Sequence, residues 1–297
     1  MTGEVPPKTV MAGNPARVVR RVAPDETLAV VDSTANKVQS VISPKAQIGR
    51  SVSIGHACRV HGNVIVGNRT EIGDCSVIGI PAGGKWANQP VRIGANSVIR
   101  SHAAIYEGSE FGPKLETGHH VLIREGTVAG ENLRVGSHSD LEGDCVIGDF
   151  CRFHSYTHIG RGSKIGHFVW LYSLTTLTND ALPPSELFEP VTIEDGVVVC
   201  VGCTVLPGAT LAMGSFVAAG SVARGRVPAG GVVAGWEGRI IGHVSDLANA
   251  KSGIHHPWMP HFGKHYPSEA RPRLESLAAD ILNGRREFMA KHFRKRK

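Results

Sequence analysis

The chain has 297 residues and a mass of 31.6 kDa, with 41% hydrophobic residues, 6% aromatics and 36 glycines. Its net charge of +6 suits anionic small ligands and is too small to indicate nucleic acid. No secretory leader or bilayer-length apolar run is visible, so the expectation is a cytoplasmic protein without a membrane span.

Taken in chain order, residues 1–41 read as an N-terminal arm and polar connector. Within it, Val5-Pro6-Pro7 and Val10-Met11-Ala12-Gly13-Asn14-Pro15-Ala16-Arg17 echo a later phrase, Val227-Pro228-Ala229 followed by Val232-Val233-Ala234-Gly235. This echo is either a pairing strand or the relic of a fused upstream unit. From Ile42 an aliphatic residue returns at every sixth position: Ile48, Ile54, Val60, Val66, Ile72 and Ile78. The pattern restarts at Ile93, runs to Leu177 with Phe111, Thr117, Ala129 and Phe153 filling the gaps, and restarts again from Ile193 to Val217. A helix repeats every 3.6 residues and a half-buried strand every two, so a sustained period of six requires a solenoid whose hexads are each a short strand and a corner. Three hexads make one triangular coil of about 18 residues, stacked at the strand spacing of ~4.8 Å, and the pattern predicts about nine coils by that count. Glycine directly after the inward aliphatic, as in Ile48-Gly49 and Ile165-Gly166, points to a position where φ/ψ or crowding excludes side chains.

Two insertions interrupt the count, one over 79–91 with Trp86 exposed on it and one over 178–191. Fifteen hexads separate Ile78 from Leu177, which is five whole coils, so both loops leave the same edge of the prism about 24 Å apart. Cys58, Cys145, Cys151 and Cys203 fall at the fifth hexad position, where a small inward residue is wanted, so Cys200-x-x-Cys203 reads as packing rather than a metal or redox site. The same register stacks His102, His120, His138 and Tyr156 in one column about 5 Å apart, places Tyr172 above His154, and aligns Asp140 with His158. After Gly242 the period is lost. His255 to His265 is irregular, and Arg273 to His292 has apolar residues at helical spacing, read as a basic-ended amphipathic helix capping the open prism end. Residues 42–243 form the solenoid and 244–297 the terminal segment.

The phrases Thr117-Gly118-His119-His120-Val121-Leu122-Ile123-Arg124-Glu125, Arg152-Phe153-His154-Ser155 and Leu177-Thr178-Asn179-Asp180 resemble those of hexapeptide-repeat, left-handed parallel β-helix acyltransferases that act on nucleotide-linked amino sugars. So do the closing coils Val201 to Gly208 and Ala218 to Val222. The left hand comes from the resemblance alone, since the rule for parallel crossovers gives the opposite hand. The resemblance implies an all-β solenoid, a homotrimer with acetyl-coenzyme A in the groove between neighbouring subunits, and acetyl transfer to an amine on a sugar. Many such enzymes have Gln-Asn where this chain has His154-Ser155.

Attack on a thioester requires a placed nucleophile, an oxyanion donor and a proton acceptor. An amine needs little help, whereas a hydroxyl needs a base such as His. The relatives that acetylate hydroxyls carry a His in the loop corresponding to 178–190; Asn179 and Asp180 stand there here, which favours an amine. The candidate catalytic residues are His154 and His120. Arg124, Glu125, His138, Tyr172, Asn179 and Asp180 are candidates for the acceptor, and Gly202, Ala219, Arg224 and Arg226 for coenzyme A. O-acetylation with His154 as base and a non-catalytic scaffold are the alternatives. A zinc site of the γ-carbonic anhydrase kind would pair His56 with His61, but its third ligand would fall at Arg20, so no metal is expected.

Overall fold

In a computed structural model, the chain winds into a parallel β-solenoid with three flat faces and a C-terminal helix. The structure describes residues 39–293, together with the backbone of three preceding strands, Thr9–Ala12, Arg17–Arg21 and Thr27–Leu28. The basic end Arg294 to Lys297 lies outside the described residues. The faces hold 11, 10 and 11 strands, named here I, II and III in the order the chain visits them. Removing one antiparallel strand each from faces I and III leaves ten parallel rungs per face, so about ten coils rather than nine. The repeat continues past Ala223 through Val227 and Val233, which pair with Leu211 and Val217.

Most rungs are two-residue strands made of the sixth and first hexad positions; the fourth turns the corner. Uninterrupted coils pair eighteen residues apart, as in Arg134 with Arg152 and Arg152 with Trp170. From Val60 onward the inward first-position residues are buried along the axis, including the substitutes Phe111, Thr117, Ala129 and Phe153. Cys58, Cys145, Cys151 and Cys203 are buried and free. Burial pushes the thiols of Cys145 and Cys200 up to about 11 and that of Cys151 to about 12, so none of these three is a thiolate near neutrality.

Two constraints separate at the corners. Glycine after the inward aliphatic is required by crowding: a Cβ on Gly136 would meet the His154 carbonyl carbon at 2.3 Å, and one on Gly49 the Asn68 nitrogen at 2.7 Å. The left-handed backbone lies two residues later, at the fourth position, where Asn96, His102, His120, His138 and Tyr156 have φ between 55° and 62°. The histidine column therefore stands on the turning residues themselves.

The terminal helix, Arg271–His292, lies along the edge between faces II and III rather than over the prism end. A Cβ on Gly196 would meet Leu277, one on Gly214 would meet Ile281, and one on Gly231 would approach Phe288. These contacts follow successive coils because the fifteen residues from Arg273 to Phe288 rise about 22 Å, close to four or five steps of ~4.8 Å. Glycines on that edge leave the groove that Leu274, Leu277, Ala278 and Ile281 fill. The last coil is closed by strand Arg239–His243, antiparallel to Gly231–Ala234. Strand Thr9–Ala12 pairs antiparallel with Arg17–Arg21 in the same register, with a bulge after the second pair in both hairpins. Among the described residues, no helix is long and apolar enough to cross a membrane.

If crowding rather than torsion governs the glycine after the inward aliphatic, Gly136→Ala will lower the melting temperature well beyond Gly202→Ala. The latter meets open space and bears only left-handed strain at φ 67°, about 1–2 kcal/mol. Equal losses in thermal denaturation followed by circular dichroism would refute the crowding account.

Candidate active site

The solenoid distributes the sequence-derived candidates over two edges. His120, His138, His154, Tyr172, Gly202 and Ala219 lie at the edge between faces III and I, whereas Arg124, Glu125, Asn179, Asp180 and Arg224 follow strands of face I, and Arg226 opens face II.

His154 is held by its backbone from three sides. Gly136 gives room beneath it, its N–H donates to the Leu171 carbonyl at 2.8 Å, and its carbonyl accepts from Ser139 Oγ at 3.0 Å and Thr157 Oγ1 at 2.6 Å. The imidazole stacks on Tyr172 with ring centroids 4.4 Å apart and lies 5.9 Å from Trp170. Burial lowers its pKa below the usual 6.5, so near neutral pH the ring is uncharged and able to accept a proton. His120 is exposed between His102 and His138, at 4.4 and 4.9 Å, and Tyr156 continues the stack 5.0 Å beyond His138. Loss of water from the ring faces, and then the neighbouring imidazoles, lower the His120 pKa as well. His120 sits two coils below the coil of His154, about 10 Å by strand spacing, so the two do not form a proton-passing pair. Gly202 and Gly220 stand one coil apart on this edge and face open space.

The edge between faces I and II is a polar network. Arg124 forks onto the buried Glu125 at 2.9 and 3.1 Å and lies 3.6 Å from Glu142. Asp180 accepts from the backbone N–H groups of Leu182 and Ser185 and from Ser185 Oγ, which fixes its own loop. Asn179 Nδ2 donates to the Arg161 carbonyl at 3.4 Å. Arg224 donates to the Trp236 carbonyl, and Arg226 lies 3.5 Å from Glu194.

Both insertions follow strands of face I. Trp86, expected to be exposed, instead folds down the edge over Gly108 and Gly126, where a Cβ would meet its ring at 2.3 and 2.1 Å. Its indole donates to Asp144 at 3.2 Å, and Lys85 and Arg161 share that carboxylate. The buried Glu107 accepts from the backbone N–H groups of Ala82 and Asn88 and from Asn63 Nδ2.

Two features carry chemistry that the candidate residues did not include. His158 Nδ1 and Asp140 Oδ2 are 2.6 Å apart on face I, and that hydrogen bond raises the His158 pKa above 6.5. The eighteen-residue register had already aligned the pair, without distinguishing it from other columns. Asp140, Glu142 and His158 bring donor atoms within 4.8 Å of one another and could hold a cation, although Arg124 already shares Glu142. The second feature is a cleft of about 620 Å³ between face III and the terminal segment, lined by Arg100, Arg134, Arg152, His154, Phe262 and Tyr266 among others. Period counting could not reveal it, because one wall comes from outside the repeat.

The rungs, the period and the buttressing helix define a hexapeptide-repeat parallel β-solenoid. No family model and no curated protein matches the chain. Among solved structures, it is similar to the UDP-N-acetylglucosamine acyltransferase of Arabidopsis, at 18% identity over 87% of this chain and 84% of that one, with a TM-score of 0.53. Others are the UDP-N-acetylglucosamine O-acyltransferase of Moraxella catarrhalis, at 17% identity over 82% and 96% with a TM-score of 0.39, and the Caulobacter crescentus perosamine N-acetyltransferase in complex with CoA and GDP-perosamine, at 17% over 69% and 58% with a TM-score of 0.22. What the chain shares with the Arabidopsis enzyme is the fold.

Glu107→Ala should release loop 81–90 without unfolding the coils beneath it, since it deprives two backbone N–H groups of their acceptor at about 1–3 kcal/mol of local cost. Hydrogen exchange is expected to rise roughly tenfold or more at 82–88 and to stay unchanged over 121–165. Uniform exchange across both segments would refute the pinning role.

Proposed function

We propose that the protein is a coenzyme-A-dependent acyltransferase that acetylates the amine of a nucleotide-linked amino sugar. The observation that carries this reading is His154: a neutral, backbone-locked imidazole stacked on Tyr172 at the rim of a ligand-sized cleft. The fold shared with the Arabidopsis acyltransferase supports the reaction class, and the sequence resemblance supports the amino-sugar acceptor. In this reading the acceptor amine attacks the thioester carbonyl, the C–S bond breaks as the tetrahedral intermediate collapses, and coenzyme A leaves as the thiol. His154 takes the proton lost by nitrogen and hands it to the departing sulfur. His120 and His138 line the same edge, and Gly202 and Ala219 offer an unobstructed strip for the pantetheine arm. Arg124, Glu125, Asn179, Asp180, Arg224 and Arg226 stand across face I. A homotrimer would bring an edge of one copy towards another, so that donor and acceptor residues from the two edges meet between subunits.

A second reading, O-acylation, is favoured by the His158–Asp140 pair, since a hydroxyl needs a base oriented by a carboxylate. The two imidazoles are shifted in opposite directions, and each must be neutral to act as base. With His154 as base, kcat/KM falls on acidification only below pH 6.5; with His158, it falls from above pH 6.5. His154→Ala is expected to lower kcat only a few-fold for an amine acceptor, whereas for a hydroxyl acceptor His158→Ala is expected to lower it about 10²-fold. Thiol release from acetyl-coenzyme A against amino and hydroxy sugars measures both. An unchanged pH profile and turnover in His154→Ala would remove His154 from the site, and absence of coenzyme binding by calorimetry would leave a non-catalytic scaffold.

A further inference from the structure

The cleft over face III has an unbalanced charge. Its lining holds three guanidinium groups, Arg100, Arg134 and Arg152, against one carboxylate, Glu116. Glu116 is shared: Arg134 Nε lies 3.1 Å from one oxygen and Arg100 Nη2 3.6 Å from the other. Arg152 spends its hydrogen bonds on neutral acceptors, the carbonyls of Asn132 and Cys151 and the side-chain oxygen of Asn132, and stacks over Tyr266 at 5.0 Å. A desolvated guanidinium without a carboxylate, beside two others that divide one, makes a site that lacks an anion. Arg100 and Arg134 keep about half of their side-chain surface exposed, so they can turn towards a ligand.

The cleft also continues. Trp170 and Phe262 line both it and a second cavity of about 280 Å³, whose other walls include Tyr172, Phe216, His256 and Trp258. Trp258 is 6% exposed, and its indole N–H has no hydrogen-bond partner among the described residues. A basic compartment thus adjoins an aromatic one, and His154 lies where they meet, 5.9 Å from the Trp170 ring. Together they are of the size that holds a small organic ligand.

We propose that this two-compartment cleft binds a small molecule carrying a phosphate or carboxylate group on Arg134 and Arg100, with its flat or apolar part against Trp170 and Phe262, and that the site is complete within one protomer. Arg134 is suited to fork onto two oxygens of the anion, and Glu116 is the counter-ion the ligand displaces. The aromatic rings take the planar part by stacking. The assignment deepens the acceptor side of the reading above and rests on it for the ligand's role, though not for its binding. It locates the charged part of the acceptor beneath the C-terminal segment and leaves the reacting end at the edge where His154 stands.

Isothermal titration calorimetry on the full chain, without acyl donor, tests this with inorganic pyrophosphate, uridine 5′-diphosphate and glucuronate. Binding of the first two identifies a phosphate ligand, binding of glucuronate alone a carboxylate, and either supports the site. Arg134→Ala should weaken Kd at least tenfold and Arg134→Lys less, because charge survives while the fork is lost, whereas Lys251→Ala, an equal loss of charge elsewhere, should leave Kd within twofold. Phe262→Ala should weaken the nucleotide and spare pyrophosphate. Circular dichroism and melting temperature establish that each variant is folded. The proposal is overturned if none of the three anions binds, if Arg134→Ala and Lys251→Ala act alike, or if Phe262→Ala fails to separate nucleotide from pyrophosphate. Because no turnover is read, a failed acyl-transfer assay leaves this site standing, and failure here leaves the His154 chemistry standing.

Discussion

The hydrogen bond from one coil to the next is what everything else in this protein depends on. His154 N–H to the Leu171 carbonyl and Gly136 N–H to the Phe153 carbonyl are two rungs of a ladder that recurs at each face. Because the ladder fixes the vertical step near 4.8 Å, it forbids a side chain wherever the next coil's backbone passes directly overhead. It also forces like positions to lie above one another. Gly136 and His154 are one case of this: the glycine is needed so that the coil above can present its histidine. Stacked His102, His120, His138 and Tyr156 are another, since the same step that joins backbones brings rings to 4.4–5.0 Å.

A solenoid treats its three faces alike, and the terminal segment breaks that equality. The helix Arg271–His292 fills the edge between faces II and III, Arg273 reaching Asp149 and lying over the Phe150 and Phe168 rings. The irregular stretch before it lays Trp258, Phe262 and Tyr266 across face III, with Trp170 Nε1 donating to Tyr266 Oη at 3.0 Å. Outward residues that would otherwise be solvated, notably Arg152 and Trp170, become the floor of a cleft. The aromatic content of the chain, low overall, is concentrated there.

The period of six made the coils, the edges and the stacked columns legible, because a single inward residue per hexad leaves a record that survives substitution by Phe111 or Thr117. It also put Cys145 and Cys151 inside correctly, since the fifth position points inward as well, where Leu115 and Leu133 are likewise buried. What it could not convey was any contact made across the period. Trp86 looked exposed because its partners, Gly108, Gly126 and Asp144, are one and more coils away and contribute nothing to the local pattern. The helix looked like an end cap because amphipathicity reports that a face is covered and is silent about what covers it. The glycine after the inward aliphatic had two explanations in sequence, and only the interatomic distances separate crowding from torsion.

The two histidines with shifted pKa values show how one scaffold can offer different chemistry on neighbouring surfaces. His154 and His158 are four residues apart in one hexad, yet one is stacked on an aromatic ring and the other is hydrogen-bonded to a carboxylate. The stacked ring loses water and gains no charge partner, so its neutral form is favoured. The paired ring gains an acceptor for its second proton, so its charged form is favoured. A neutral imidazole costs nothing to recruit as a base at pH 7 but is the weaker base; the raised one is the stronger base but must first lose a proton. An amine acceptor, which must itself be neutral before it attacks, needs little from its base and is served by His154. A hydroxyl acceptor needs a strong base in place, and that requirement selects His158. The identity of the acceptor atom is therefore coupled to which surface of the prism the substrate occupies.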